Sequence, residues 1–265
     1  MSVACITMCG RYASTRSADD LATIFEATNA TGDESLAASY NVAPTNRVHV
    51  VRLELARPGS DAEVSSFQDA SSFQAERLIQ VARWGLLPPW ARHPREGARM
   101  INARAETVTT SRAYRVPFAR RRCLVPADGW YEWRADSQGK QPYYLTPRNG
   151  DVLAFAGLWE VWGPERVMTV TIVTTAARGE LAEIHHRMPL VLSPDRWEEW
   201  LDVSGSVPPD RLLAPPADDW LADIEIRPVG RAVGDVRNNS PELIQPVTDS
   251  LLTVDRAEPA DLTLF

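Results

Sequence analysis

Three cysteines, four histidines and a single lysine in 265 residues leave little material for several common chemistries. Cys5, Cys9 and Cys123 supply neither a disulfide framework nor the paired spacing of a metal site, so no structural metal and no cofactor is expected, and a reducing cytoplasmic location is. No apolar run approaches the ~18 residues of a membrane-spanning helix, so no membrane contact is expected. The N-terminus lacks the basic start and apolar core of a signal peptide, and no internal repeat is visible. A net charge of -7 argues against a protein that coats nucleic acid generally. The length suits one large domain or two small ones with a sizeable core, and one is expected.

What charge there is lies unevenly. Arg92, Arg95, Arg99, Arg104, Arg112, Arg115, Arg120, Arg121 and Arg122 face only two glutamates in the same stretch, a local balance of +7. A basic face on an acidic body suits local contact with phosphates. The near absence of lysine leaves a second explanation open, that arginine is simply favoured throughout.

The pattern along the chain is mostly that of strands. "RVHVVRLEL", Arg47 to Leu55, alternates as a half-buried strand should. "RLIQVARWGLLPPW" reads as a strand that runs into a Pro-Pro turn. "RRCLVPADGWYEW" and "QPYYLTP" read as two strands joined by the polar turn "ADSQGK". "DVLAFAGLWEVW" and "RVMTVTIVTT" form another pair around Gly163-Pro164. "STRSADDLATIFEA" predicts a helix, with Ser17 as its cap and Asp19 and Asp20 in the first turn. "GELAEIH" and "PDRWEEWLD" predict short helices. Residues 56–76 are polar and Ser-rich and read as a surface insertion. Residues 247–265 read as a weakly ordered tail. The expected fold is therefore α+β: a curved, barrel-like, mainly antiparallel β core with peripheral helices.

Several short stretches place polar side chains among aromatics. In "YNVAPT", Pro44 rigidifies a turn. In "NARAET", Asn102 and Glu106 are capping candidates for a following helix. In "WYEW", Glu132 sits in an apolar strand, so its carboxylate must be paired, turned outward, or shifted toward the neutral acid by desolvation. The last case would make it a general acid/base. His185 and His186 are adjacent, so only one of them faces a given pocket in extended chain.

Taken in order, "MCGRYA", "YNVAPT", "RWGLLPPW", "INARAET", "RRCLVPADGWYEW", "FAGLWE" and "IHHRMPL", ending with "NNSPELIQP", resemble the SOS-response-associated peptidase (SRAP) family, whose members cross-link to abasic sites in single-stranded DNA. The resemblance runs from Met8 to about Pro246. It implies a β-rich core with surrounding helices. It also implies a nucleophilic Cys9 made N-terminal by loss of Met8, with Asn102, Glu132 and His185 as the other catalytic residues. Arg11, Pro44, Trp84, Arg104 and Arg187 are the expected DNA contacts, with Trp84 and the Pro44 loop forming a wall for neighbouring bases. The expected partner is single-stranded DNA carrying an abasic site, bound by a monomer in the cytoplasm and associated with the nucleoid when on DNA.

An N-terminal cysteine carries an α-amine and a thiol on adjacent carbons, and no internal cysteine offers that pair. With an amine pKa of about 7.7–8.0, part of it is neutral and nucleophilic at pH 7. Attack on the ring-opened sugar aldehyde gives a Schiff base, and addition of the thiol to the same carbon closes a five-membered thiazolidine. The family's cysteine stands at position two, whereas here "MSVACIT" precedes Met8. Translation from Met8, removal of a leader, and inactivity as written each explain this, and the first is the expectation. Two rival functions stay open. One is a general cysteine peptidase built on Cys9, His185 and Asn102 or Glu132. The other is a non-covalent reader of damaged DNA.

Overall fold

Fourteen strands, rich in β-branched and aromatic residues, lie among residues 10–55, 75–136 and 139–247, the parts of the chain that the computed structural model describes. In the first half these are β1 (Tyr12–Ser14), β2 (Thr28–Asn29), β3 (Ser39–Val42), β4 (Arg47–Leu55), β5 (Ala75–Trp84), β6 (Asn102–Arg104) and β7 (Arg122–Ala127). The second half adds β8 (Gly129–Asp136), β9 (Gly139–Pro147), β10 (Leu153–Trp162), β11 (Val167–Ala176), β12 (Arg187–Pro189), β13 (Val191–Leu192) and β14 (Ile224–Pro228). Residues 1–9, most of the Ser-rich insertion, the tip of the 135–140 turn and the tail from 248 lie outside the described residues.

One sheet runs β12-β11-β10-β7-β4-β5-β2 and returns on itself, because β5 also pairs in parallel with β11 through Thr169↔Arg83 and Val170↔Trp84. The result is a ring-like sheet. A second, five-stranded sheet has the order β14-β9-β8-β1-β3. The expected α+β class with a curved, mainly antiparallel core is what the chain adopts.

The two faces of the ring strands divide the core by parity. Val48 and Val50 of β4 join Val125, Phe155, Val170 and Ile172, and pack with Tyr12, Trp130 and Leu145 of the second sheet. Val51 turns the other way and joins Leu124, Ala156 and Val173 beneath Leu21, Phe25, Trp197 and Trp200 of the surrounding helices. The helix Ala18–Ile24 starts at Ser17 as expected, with a reciprocal capping box between Ser17 and Asp20.

Three expectations change. "RRCLVPADGWYEW" is two strands, not one: β7 belongs to the ring and β8 to the second sheet. Asp128 sits at the crossing, where its carboxylate accepts the Thr15 N–H at 2.6 Å and the Thr15 hydroxyl at 2.7 Å. "NAR" is a strand laid in parallel against β11, through Ile172↔Asn102 and Thr174↔Arg104, and not the start of a helix. The insertion is shorter than 56–76, since Ala75 and Glu76 already pair with Leu55 and Glu54.

The basic stretch is also less exposed than its composition implies. Arg122 is buried, donating from Nε to the Trp200 carbonyl at 2.5 Å and from Nη1 to the Phe118 carbonyl at 2.7 Å. Its guanidinium lies against both the Phe118 and Trp200 rings. Arg121 pairs with the buried Glu160 at 3.0 Å. Guanidinium groups suit both places because their fixed fork of donors satisfies several acceptors at once. Arg92, Arg95, Arg99, Arg104, Arg112, Arg115 and Arg120 remain exposed.

Gly85 explains how the first of these arginines are carried. It has φ +123°, and a Cβ there would lie 2.5 Å from the carbonyl oxygen of Gly97. The chain therefore crosses itself at two glycines, and Leu86 N–H to Met100 O at 3.1 Å closes the base of the intervening loop. Only residues without side chains permit so close an approach.

Candidate active site

Glu132 lies in β8 opposite Tyr143, on the same side of the strand as Trp130, with Tyr131 on the other side. Its side chain is only 6% exposed, and its Oε2 is 3.8 Å from Nδ1 of His185. The short helix Leu181–Ile184 ends at His185, which takes up extended geometry (φ -151°, ψ 145°) while its N–H still reaches the Leu181 carbonyl at 3.1 Å. The break aims the imidazole at β8. His185, rather than His186, is therefore the residue at the carboxylate, and the two rings lie 4.3 Å apart.

The backbone N–H of Arg187 donates to His185 Nδ1 at 3.2 Å. The same nitrogen lies 3.2 Å from the Arg187 carbonyl oxygen and 3.8 Å from Glu132 Oε2, so the tautomer decides whether Nδ1 accepts or donates there. Burial pulls the His185 pKa below its ordinary value, the backbone contact to Arg187 opposes this, and the charges of His186 and Arg187 add to the lowering. The ring is therefore neutral at pH 7, with one nitrogen still able to give a proton.

Arg187 is itself buried, at the start of β12 where it pairs with Ala176 of β11. Its Nη2 donates to the Thr174 carbonyl at 2.6 Å. Glu106 takes the outer edge of the guanidinium in a two-pronged contact, Nη1 to Oε1 at 2.5 Å and Nη2 to Oε2 at 3.0 Å. Arg187 holds Glu106 well below the usual carboxylate range, so this carboxyl is ionised. On β6, Asn102 and Arg104 share one face because they are two residues apart, while Ala103 between them is buried in the core. Asn102 is half-buried and its carbonyl accepts from the Tyr114 hydroxyl at 3.2 Å; Arg104 is exposed beside Thr174. Strand β11 thus holds Asn102 and Arg104 on one side and Arg187 on the other.

The N-terminal arm enters beside the same carboxylate. Tyr131 N–H donates to the Arg11 carbonyl at 3.0 Å, and β1 continues antiparallel to β8 with Tyr12↔Trp130. Cys9 lies outside the described residues, two positions before Arg11 in sequence.

Two expected DNA contacts have other roles here. Trp84 is fully buried, edge-on to Tyr12 at 5.2 Å, with its indole N–H on the Ile101 carbonyl at 3.0 Å, so it presents no face to a base. The exposed indole of "RWGLLPPW" is Trp90, 46% exposed, with the Arg112 guanidinium 4.6 Å from its ring centroid. Sequence reasoning passed over it, although the Pro88-Pro89 break before it was the available signal. Arg11 is an internal anchor. Its Nη1 donates to Asn41 Oδ1 and to the Val233 carbonyl, each at 2.8 Å. Pro44 is half-buried in a turn tied to the Trp84 backbone, where Thr45 N–H reaches the Trp84 carbonyl at 2.8 Å.

A cleft lined by Arg148, Arg178, Leu181, Leu221 and Ile226 contains none of these residues and is not part of the site. Among the described residues no cluster of three or more His, Cys, Asp or Glu side chains is placed to hold a metal, and no helix is long and apolar enough to cross a membrane.

A buried carboxylate–imidazole pair thus lies near two arginines and an asparagine that flank one strand of a ring-like sheet. Residues 8–236 match the SOS response associated peptidase (SRAP) model, and the chain belongs to that family. Among its relatives are YoaM of Bacillus subtilis, 35% identical over 243 residues (89% of this chain and 97% of that one), and YedK of Escherichia coli, 33% identical over 248 residues (91% and 100%). Chicken HMCES is 33% identical over 208 residues, covering 68% of this chain and 60% of that protein. Each of the three carries the name abasic site processing protein. The fold is shared with a crystal structure of a Bacteroides thetaiotaomicron protein, at TM-score 0.71 and 23% identity over 91% of this chain and all of the other.

Proposed function

We propose that this protein senses abasic sites in single-stranded DNA and caps them covalently through Cys9 as an N-terminal residue. The observation that carries the reading is the buried Glu132–His185 pair beside the arm that begins directly after Cys9. A proton-transfer pair next to a chain start is what imine chemistry at an α-amine requires.

The neutral amine attacks the sugar aldehyde carbon, forming the N–C bond as the carbonyl oxygen takes a proton. The nitrogen then loses a proton and the hydroxyl leaves as water, giving the Schiff base. The thiol adds to the same carbon, its proton passes to the nitrogen as the C=N electron pair moves there, and the ring closes with a net loss of one water. His185 donates a ring proton at the sugar oxygen during ring opening and takes the proton back. Glu132 relays protons between the amine and the departing water. Asn102 orients the adduct through its amide, and Arg104 and Arg187 hold flanking phosphates. Trp90 and Pro44 provide the surface on which neighbouring bases lie. The same acid–base pair serves removal of the residues before Cys9, in keeping with the peptidase in the family's description. We assign the protein to the cytoplasm as a monomer that joins the nucleoid on DNA.

Intact mass of the protein made from its full gene, before and after incubation with an oligonucleotide holding one abasic site, tests this. The expected result is a chain beginning at Cys9 and a denaturation-stable adduct equal to the oligonucleotide less one water. A chain beginning at Met1 or Ser2 that forms no adduct refutes it and favours the peptidase or reader functions.

A further inference from the structure

Glu106 is half exposed and Arg187 is buried, so the carboxylate lies on the solvent side of the guanidinium. Any anion that reaches Arg187 from outside must take the place of Glu106. The arginine does not depend on that carboxylate to stay in position, since Thr174 holds Nη2 by its carbonyl at 2.6 Å and its hydroxyl at 3.3 Å. Glu106 in turn sits in the turn just beyond β6, where Thr107 N–H bonds the Arg104 carbonyl and leaves the side chain at the surface. A carboxylate and a phosphate present the same pair of oxygens to a guanidinium, and both take the two-pronged geometry seen here. Exposed Arg104 stands at the same rim, close enough to act on the charge of Glu106.

We propose that Glu106 is a specificity-determining gate, occupying the phosphate position of Arg187 in the DNA-free protein and giving way to a backbone phosphate only when the strand is fully seated. This rests on the assignment of Arg187 as a phosphate contact. The gate lowers affinity for undamaged strands, whose few contacts do not offset opening the ion pair. A lesion strand is retained because covalent capture follows seating.

The exchange has a salt signature. Each phosphate neutralised by a free cation releases condensed counterions and contributes about 0.7 to the slope of log K against log salt for single strands. A phosphate that replaces a carboxylate already on the arginine contributes almost nothing, because the freed carboxylate recruits a cation of its own. Binding of a fluorescent, undamaged single-stranded oligonucleotide is measured across a salt series for the wild type, Glu106→Gln, Arg187→Gln and the double variant. Thermal unfolding shows that each is folded.

Glu106→Gln is expected to bind several-fold more tightly at low salt, with a slope steeper by about 0.7. The double variant is expected to lose both gains. An unchanged slope and affinity in Glu106→Gln overturns the gate. Failure of the underlying assignment looks different: starting from Glu106→Gln, where the arginine is open, replacing Arg187 would change neither affinity nor slope. Arg187→Lys covers the case in which Arg187→Gln does not fold, because it keeps the charge but not the two-pronged fit, and it is expected to keep the slope while weakening the binding.

Discussion

Replacing Asn41 with alanine tests whether the arm that delivers Cys9 is set by one buried amide. Asn41 is 3% exposed. Its Oδ1 accepts from Arg11 at 2.8 Å, and its Nδ2 donates to the carbonyls of Asp235 and Asn238 at 3.0 and 2.8 Å, with a longer contact to Val233 at 3.3 Å. Alanine removes the three short bonds. The Val233 oxygen keeps its bond from Arg11, so the groups left wanting are the Asp235 and Asn238 carbonyls and one donor of Arg11. At about 1 kcal/mol for each net bond, the loss is about 3 kcal/mol. For a protein of this size that lowers Tm by about 6–12 °C. Asn41→Asp keeps an acceptor for Arg11 but sets a second negative group against the two carbonyls, so it is expected to destabilise at least as much. The assay is thermal unfolding by circular dichroism, paired with the initial rate of cross-linking to an abasic oligonucleotide well below either midpoint. Arg11 leads directly into the arm, so the rate is expected to fall in both variants while they remain folded. A Tm within 2 °C of wild type for both variants would refute the bond count, and an unchanged rate would show that Asn41 does not position the arm.

Two further outcomes separate neighbouring residues with different duties. Trp90→Ala is expected to weaken single-stranded DNA binding by about 1–3 kcal/mol, the worth of one base stacked on an aromatic ring, with little change in Tm; Trp84→Ala instead is expected to cost about 3–5 kcal/mol of stability, read by urea denaturation. His49 is buried, its Nε2 has no hydrogen-bond partner, and burial lowers its pKa below the ordinary 6.5. Its unfolded form takes up a proton first as pH falls, so its contribution to stability is complete above about pH 6.5 and is lost below that value, toward the folded pKa. Urea midpoints measured from pH 8 to pH 5 should show a decline that His49→Gln reduces, and parallel curves for the two proteins would rule His49 out as its source.

The parts of the molecule that depend on local periodicity could be read from the chain. Strand β4 spans the predicted Arg47–Leu55, although Val48 to Val51 are buried on both faces and not on one as a half-buried strand would be. Ser17 was legible as a cap because the capping box is a contact between residues three apart. The site residues were legible only as a set of motifs, since nothing local links Glu132 to His185 or Arg187 to Glu106. The misreadings share a cause. Buried, mostly apolar chain runs on both sides of Asp128, so composition cannot show that it changes sheets there. The three-residue strand β6 is too short to carry a period, and its partner lies some 70 residues away in β11. Burial of Trp84 and Arg122 is decided by the rings and carbonyls that surround them in space.

Strand β11 pairs with β10, β12, β5 and β6. Of the strands that close the ring, β4, β5, β7, β10 and β11, it is the last to leave the ribosome, and Asn102, Arg104 and Arg187 are all held beside it. A growing chain therefore has no assembled site before this strand is made. The ring cannot close, and β6 has nothing to pair with, until Val167–Ala176 has been made.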